Sequence, residues 1–219
     1  MADNKQDIIG RIRKDFFENQ DFIGWFEAVY ASAEDGTGFV PWAHMEPNPQ
    51  LVVWSEEVDL QGNGKKALVV GCGLGDDAEY LAERGFAVTA FDISETAIEG
   101  CKKRFPETTV AYQVMDLFKL PQSWLHNFDF VVESRTIQAL PYDWHKKSIG
   151  AIANTIANNG QIIVICWGRD PDQHPGGIPW ALSREELALF HQAGLVEKSF
   201  FDFSKNGQRR FRVVYQRAK

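Results

Sequence analysis

The chain has 219 residues, 44% hydrophobic and 24% charged, which excludes a disordered tail or a fibre and fits a single domain at ~150 residues per domain. The 30 acidic residues outnumber the 23 basic ones, and a net charge of −7 argues against a nucleic-acid partner, which needs a basic face. Three scattered cysteines (Cys72, Cys101, Cys166) make neither a disulfide framework nor a zinc site, no apolar run approaches the ~20 residues of a membrane span, and the polar stretch Met1–Gln20 has no signal-peptide core, so a cytoplasmic protein without a metal is expected, monomeric by default.

Taken in chain order, Ile8, Ile9, Ile12, Phe16 and Phe17, then Phe22, Trp25, Phe26, Val29 and Tyr30, recur at helical spacing and predict one or two amphipathic helices. The prolines and glycines of 35–49 exclude a helix interior there. Asn48 is placed to cap a helix starting at Pro49 that turns Leu51 and Trp54 inward. From Lys65 onward strand and helix alternate. Strands are expected at Ala67–Val70, Ala87–Phe91, Val110–Val114, Phe128–Glu133 and Gln161–Trp167. Helices are expected over Asp76–Arg84, stopped by Gly85, from the cap Ser94 through Lys103, over Tyr142–Asn158, and from Ser183 to near Gly194. The tail, Val196–Phe203, Asn206-Gly207 and Arg210–Gln216, predicts an antiparallel hairpin.

The fold class that follows is α/β. A doubly wound, mostly parallel seven-stranded sheet carries a terminal antiparallel hairpin, with residues 1–60 as a helical cap and flanking segment and 61–219 as an α/β core, all one domain. In such sheets the ligand crevice lies beyond the carboxyl ends of the strands at the switch point.

The sharpest local signal is Gly71-Cys72-Gly73-Leu74-Gly75-Asp76-Asp77 after the first of these strands. Glycines leaving a strand let the backbone approach a ligand, and the helix that follows presents free N–H groups. Asp92, 21 residues after Gly71 at the end of the next strand, can accept hydrogen bonds from both ribose hydroxyls of an adenosine. A dinucleotide fingerprint wants a third small residue where Asp76 stands, and a carboxylate there is a poor neighbour for pyrophosphate. It suits a ligand without phosphate and with a cationic amino group, such as S-adenosylmethionine.

With Asp92 and the closing hairpin, Gly71-Cys-Gly-Leu-Gly75 resembles the class I S-adenosylmethionine-dependent methyltransferases, over residues 65–216. The resemblance implies S-adenosylmethionine as cofactor and a cofactor-binding set of Trp42, Gly71, Cys72, Gly73, Asp92, Ile93, Asp116, Leu117 and Glu133. Within that set, Gly71 and Gly73 pass under the cofactor, Asp92 holds the ribose and Asp116 reaches the adenine amino group. The flanks are similar to the thiopurine S-methyltransferase and halide/thiol methyltransferase group: Pro41-Trp42 and Asn48-Pro49-x-Leu51-x-x-Trp54, Gly176-Gly-Ile-Pro-Trp180, and Glu133-Ser134-Arg135 through Ala139-Leu-Pro141. The chain departs from the plant members in having Ala43 after Trp42, and its run at 133–141 is one residue short.

Trp42 either lies over the sulfonium through cation–π attraction or fills the core under the cap. Arg135, past the fourth strand, is placed to meet an anionic acceptor, or else pairs with Glu133 or Asp143. His44 and His174 lie in loops expected at the crevice, and the catalytic candidates are Arg135, His44 and Glu133. Trp144-His145 reads as packing, and Arg209-Arg210-Phe-Arg212 as a solvated strand face. Glu133-Ser134-Arg135-Thr136 stands where base-methylating enzymes carry their Asn/Asp-Pro-Pro-Tyr/Phe run, which disfavours base flipping.

The expected function is S-methylation of a small thiol or soft anion, because a thiol with pKa ~8.5 needs little help to ionise. The alternative is O- or N-methylation of a small metabolite, with His44, Glu133 or Asp143 as base. An NAD-dependent oxidoreductase and a non-catalytic S-adenosylmethionine-binding protein are further readings.

Overall fold

The computed structural model describes residues 5–219; Met1–Asn4, included in the expected cap, lie outside the described residues. Parallel strands β1 (Lys66–Val70), β2 (Ala87–Asp92), β3 (Ala111–Val114), β4 (Phe128–Ser134) and β5 (Ile156–Trp167) are followed by the antiparallel pair β6 (Leu195–Lys205) and β7 (Gln208–Arg217). The sheet order is β3-β2-β1-β4-β5-β7-β6, so β7 inserts antiparallel between β5 and β6. The chain winds outward from β1 to β3, then restarts on the other side of β1 with β4, which makes β1/β4 the switch point. This is the doubly wound, hairpin-closed α/β sheet expected from the sequence.

Both faces of the sheet are covered, which is why β1 reads as an unbroken apolar run. On one face α3 (Pro49–Glu57), α4 (Asp76–Glu83) and α5 (Glu95–Arg104) place Leu51, Trp54, Leu81 and Ile98 against Val69, Val132 and Ile163. On the other, α6 (His145–Ala153), α7 (Arg184–Leu187) and α8 (Leu189–Gln192) place Ile149, Ile152, Leu187 and Phe190 against Val131, Val164 and Tyr215. The helix starts follow local chemistry: Asn48 Oδ1 accepts from Gln50 N–H at 3.0 Å, Ser94 Oγ from Ala97 N–H at 3.0 Å, and Ser183 and Glu186 form a capping box. Asn206 and Gly207, at φ 55° and 73°, supply the left-handed pair of a two-residue hairpin turn.

Three elements differ in extent from expectation. The helix expected over 142–158 is a 3-10 turn at Tyr142–Trp144 followed by α6, which stops at Ala153. β5 starts at Ile156, because Phe128 pairs with Ile156 across a register shift before the regular ladder resumes at Phe130↔Gln161. The helix expected after Ser183 breaks at Ala188 into α7 and α8.

The cap is α1 (Lys5–Glu18) and α2 (Gly24–Glu34). Helix α1 buries no residue fully, whereas α2 buries Trp25, Val29 and Tyr30. Glu27 of α2 docks the cap at the start of α5, its carboxylate accepting from the Ser94 and Thr96 hydroxyls. Among the described residues no helix is long and apolar enough to cross a membrane.

Candidate functional site

A cleft of about 730 Å³ lies at the carboxyl ends of β1, β2, β3 and β4, between the sheet and the cap. It opens at the switch point, where diverging connections leave room. Its floor is the turn after β1. Gly71 and Gly73 have φ of 59° and 55°, and a Cβ at Gly71 would sit 2.4 Å from Thr136 Oγ1, so only glycine brings the chain this close to the segment after β4.

Asp92 closes the floor from the β2 side. Its Oδ2 accepts from Gly73 N–H at 2.9 Å and its Oδ1 from Ser94 N–H at 3.0 Å. Burial raises its pKa, against the pull of these backbone donors, and Glu27 raises it further. Beyond β3, Asp116 accepts from Phe118 N–H at 2.8 Å and pairs with Lys119 at 3.2 Å, so it is a turn-capping residue as well as part of the wall.

Trp42 stands where the cap meets the cleft. It lines the cleft, and it also packs edge-on against Trp25, Phe26 and Tyr30 of α2. Its Nε1–H donates to Tyr30 Oη at 2.8 Å. Burial, then the nearby Asp92, push the Tyr30 hydroxyl well above the usual phenol range, so Tyr30 stays neutral in the roof.

Of the expected site residues, the cleft brings together Trp42, His44, Gly71, Cys72, Gly73, Asp92, Ile93, Asp116, Leu117 and Arg135. Glu133 is not in the lining. It is fully buried on the α6 side of the sheet, with Oε1 accepting from Ile137 N–H at 3.0 Å and Oε2 without a partner, and burial pushes its pKa to about 7. Held there by the Ile137 N–H, it stands behind the lining, whereas the sequence pointed to a base or cofactor contact. His174 is exposed outside the lining, its Nδ1 accepting from Gly176 N–H at 3.0 Å. His145 packs as expected, its two ring nitrogens against Glu186 and the Leu140 carbonyl.

Asp76 lines the cleft but is gripped by Arg104 at 2.7 Å and 3.0 Å, which offsets the charge expected to attract a cationic amino group. Its neighbour Asp77, quoted in the same motif, was given no role from the sequence. It is half-buried in the wall, accepts from Asn48 N–H at 2.6 Å, and has its pKa raised to about 6 by loss of solvent around the carboxylate. The signal was the Asp-Asp pair itself: successive helix positions face differently, so only one of the two could meet Arg104.

Arg135 pairs with neither Glu133 nor Asp143; its Nη1 lies 3.4 Å from His44 Nε2. Its φ of 69° is left-handed, and its N–H is held by the Ile165 carbonyl at 2.9 Å. The strand run 209–212 is not a solvated face. Arg209 pairs with Asp202 and Asp170, Arg212 with Glu57, and Arg210 lines the cleft.

Residues 67–160 match the family model described as a methyltransferase domain. The chain is 29% identical over 129 residues to a ubiquinone biosynthesis O-methyltransferase of Dechloromonas aromatica, covering 58% of this chain and 54% of that protein. It thus spans about half the length of the curated relatives it matches. Among solved structures it is similar to one described under the conversion of a disulfide bond into a thioacetal group during echinomycin biosynthesis, with TM-score 0.72, 20% identity, and coverage of 90% of this chain and 92% of the other. It is also similar to the 1,6-didemethyltoxoflavin-N1-methyltransferase of Burkholderia thailandensis with bound S-adenosylhomocysteine, with TM-score 0.63, 16% identity, and coverage of 100% and 92%. At these identities the structural likeness is one of fold.

Proposed function

We propose that this chain, whose residues 67–160 match a methyltransferase domain, is a class I enzyme that transfers the methyl group of S-adenosylmethionine to a heteroatom of a small organic molecule, with oxygen as the acceptor atom. The observation that carries the reading is the Asp92–Gly73 bond, which sets a carboxylate at the edge of a glycine floor beneath an aromatic roof.

The residues present fit this cofactor. The backbone of 71–73 comes close without a side chain in the way, Asp92 has lone pairs left for ribose hydroxyls, and Trp42 offers a π face to a cationic sulfur. Ile93 follows Asp92 in the same wall, and Asp116 and Leu117 frame the adenine. When bound, S-adenosylmethionine supplies a methyl group on a positively charged sulfur, which is already a good leaving group. The protein's task is then to align the acceptor, exclude water and take its proton. His44 is the candidate base. It lines the cleft, with its Nε2 3.4 Å from Arg135 Nη1. Oxygen is favoured because the curated relatives are O-methyltransferases over the shared segment.

A sulfur acceptor is the second reading. It is favoured by the likeness of the flanks to the thiopurine and halide/thiol group, and by an exposed His44 as the sole histidine in the described lining. Mass spectrometry of products from S-adenosylmethionine with phenols and thiols tests both. An oxygen acceptor predicts that His44→Ala lowers the rate about 10²-fold or more near neutral pH and recovers at high pH. A rate unmoved by His44→Ala, with methylated thiols as the products, contradicts it.

A further inference from the structure

Resting on the reading of the cleft as a methyl-transfer site, we propose that the acceptor is an organic carboxylate whose anionic end sits between Arg135 and Arg210. The two arginines flank the carboxyl end of β5. Arg135 follows Ser134, which pairs with Ile165 on one side, and Arg210 pairs with Trp167 on the other. Both line the cleft.

Arg210 differs from its neighbours on β7. Arg209 and Arg212 each reach a carboxylate, whereas the Arg210 side chain has no hydrogen bond or ion pair among the described residues, and its Nε is buried without a partner. A buried donor left unmade is costly, and a cation more so. Arg135 has no ion pair among the described residues, where its one side-chain hydrogen-bond contact is His44. Burial, and then the charge of Arg210, lower its pKa. The acidic groups facing the pair do not settle it. Asp77 is the carboxylate acting on Arg135, but it is tied to Asn48 N–H and raised to about 6; Glu46 is exposed, and Asp76 is held by Arg104. In a chain of net charge −7, two adjacent unpaired guanidiniums in a cleft are a local exception that an anionic ligand relieves.

Guanidinium forks match a carboxylate in two parallel hydrogen bonds. The neighbouring wall, with Phe26, Trp42, Phe118, Leu140 and Pro179, suits an apolar or aromatic body. The acceptor class is therefore an apolar or aromatic carboxylic acid. A carboxylate could also come from the cofactor's own amino-acid end, and the test separates the two sources.

Calorimetric binding of benzoate and of neutral benzamide is measured on the full chain saturated with S-adenosylhomocysteine. S-Adenosylhomocysteine and carboxylate-free 5′-methylthioadenosine are titrated separately. The parent is expected to prefer benzoate by about tenfold or more. Arg210→Met should abolish that preference and Arg210→Lys should weaken it, while S-adenosylhomocysteine still binds within about twofold. Thermal unfolding of both variants and of Arg135→Met checks that they fold. Equal binding of benzoate and benzamide by the parent, or a preference that survives in a folded Arg210→Met, overturns the proposal. So does an Arg210→Met that weakens S-adenosylhomocysteine but not methylthioadenosine, because the carboxylate is then the cofactor's. A parent that binds no S-adenosylhomocysteine sinks the methyl-transfer reading instead, and the benzoate preference is still read on the ligand-free chain.

Discussion

Gly73 N–H donates to Asp92 Oδ2 at 2.9 Å, tying the turn after β1 to the end of β2. One carboxylate thus holds the glycine floor in shape and, on the proposed function, also meets the ribose. The two roles separate by mutation. Asp92→Ala removes a charged acceptor and is expected to weaken S-adenosylhomocysteine by about 1.5–3 kcal/mol, whereas Asp92→Asn keeps an acceptor for Gly73 and loses less. Isothermal titration of both variants decides it. Parent-like affinity in a folded Asp92→Ala would remove the ribose role.

Gly71→Ala tests the close approach of the floor to the segment after β4. Its φ of 59° is left-handed, and the new methyl group would meet Thr136 Oγ1 at 2.4 Å. Strain and clash together predict a loss of about 1–3 kcal/mol in chemical denaturation, with cofactor binding lost as well. Removing the hydroxyl in the double variant Gly71→Ala/Thr136→Ala should return part of the stability. No recovery would show that the backbone angle, not the contact, sets the cost.

Glu133 gives the fold a pH dependence of known sign. Burial raises its pKa from 4.5 to about 7, so the folded protein prefers the neutral acid. Its favourable contribution is complete below pH 4.5 and is lost as pH rises through about 7. Glu133→Gln, which cannot ionise, should therefore gain on the parent by roughly 3 kcal/mol between about pH 4.5 and 8 in denaturant titrations. A constant difference across that range would mean that Glu133 is not held as the acid.

Features set by neighbouring residues were legible in the sequence. The caps Asn48, Ser94 and Ser183, the Asn206-Gly207 turn, and the glycine turn with Asp92 each depend on a few adjacent residues, and each stands where expected. The misses involve partners distant in sequence. The polar Asn158-Asn159-Gly160 looks like a helix end, yet lies within β5 because Ile156 finds Phe128. Period-two alternation says that Arg210 and Arg212 share a face. It does not say that α3 covers that face, bringing Glu57 to Arg212 and leaving Arg210 in the cleft wall. The position of Glu133 at a strand end suggested the crevice, whereas its carboxylate is buried and held by the Ile137 N–H, a contact that the strand pattern does not announce.

The most direct test of the central claim is a thermal-unfolding series with S-adenosylmethionine, S-adenosylhomocysteine and NADH in parallel. A ligand at about 100 times its Kd adds ~2.7 kcal/mol, which for a chain of this size is a rise of roughly 5–10 °C in Tm. The account predicts such a rise with the two adenosyl sulfur compounds and none with NADH. A rise with NADH alone would contradict it and turn the search from a methyl acceptor to a redox substrate.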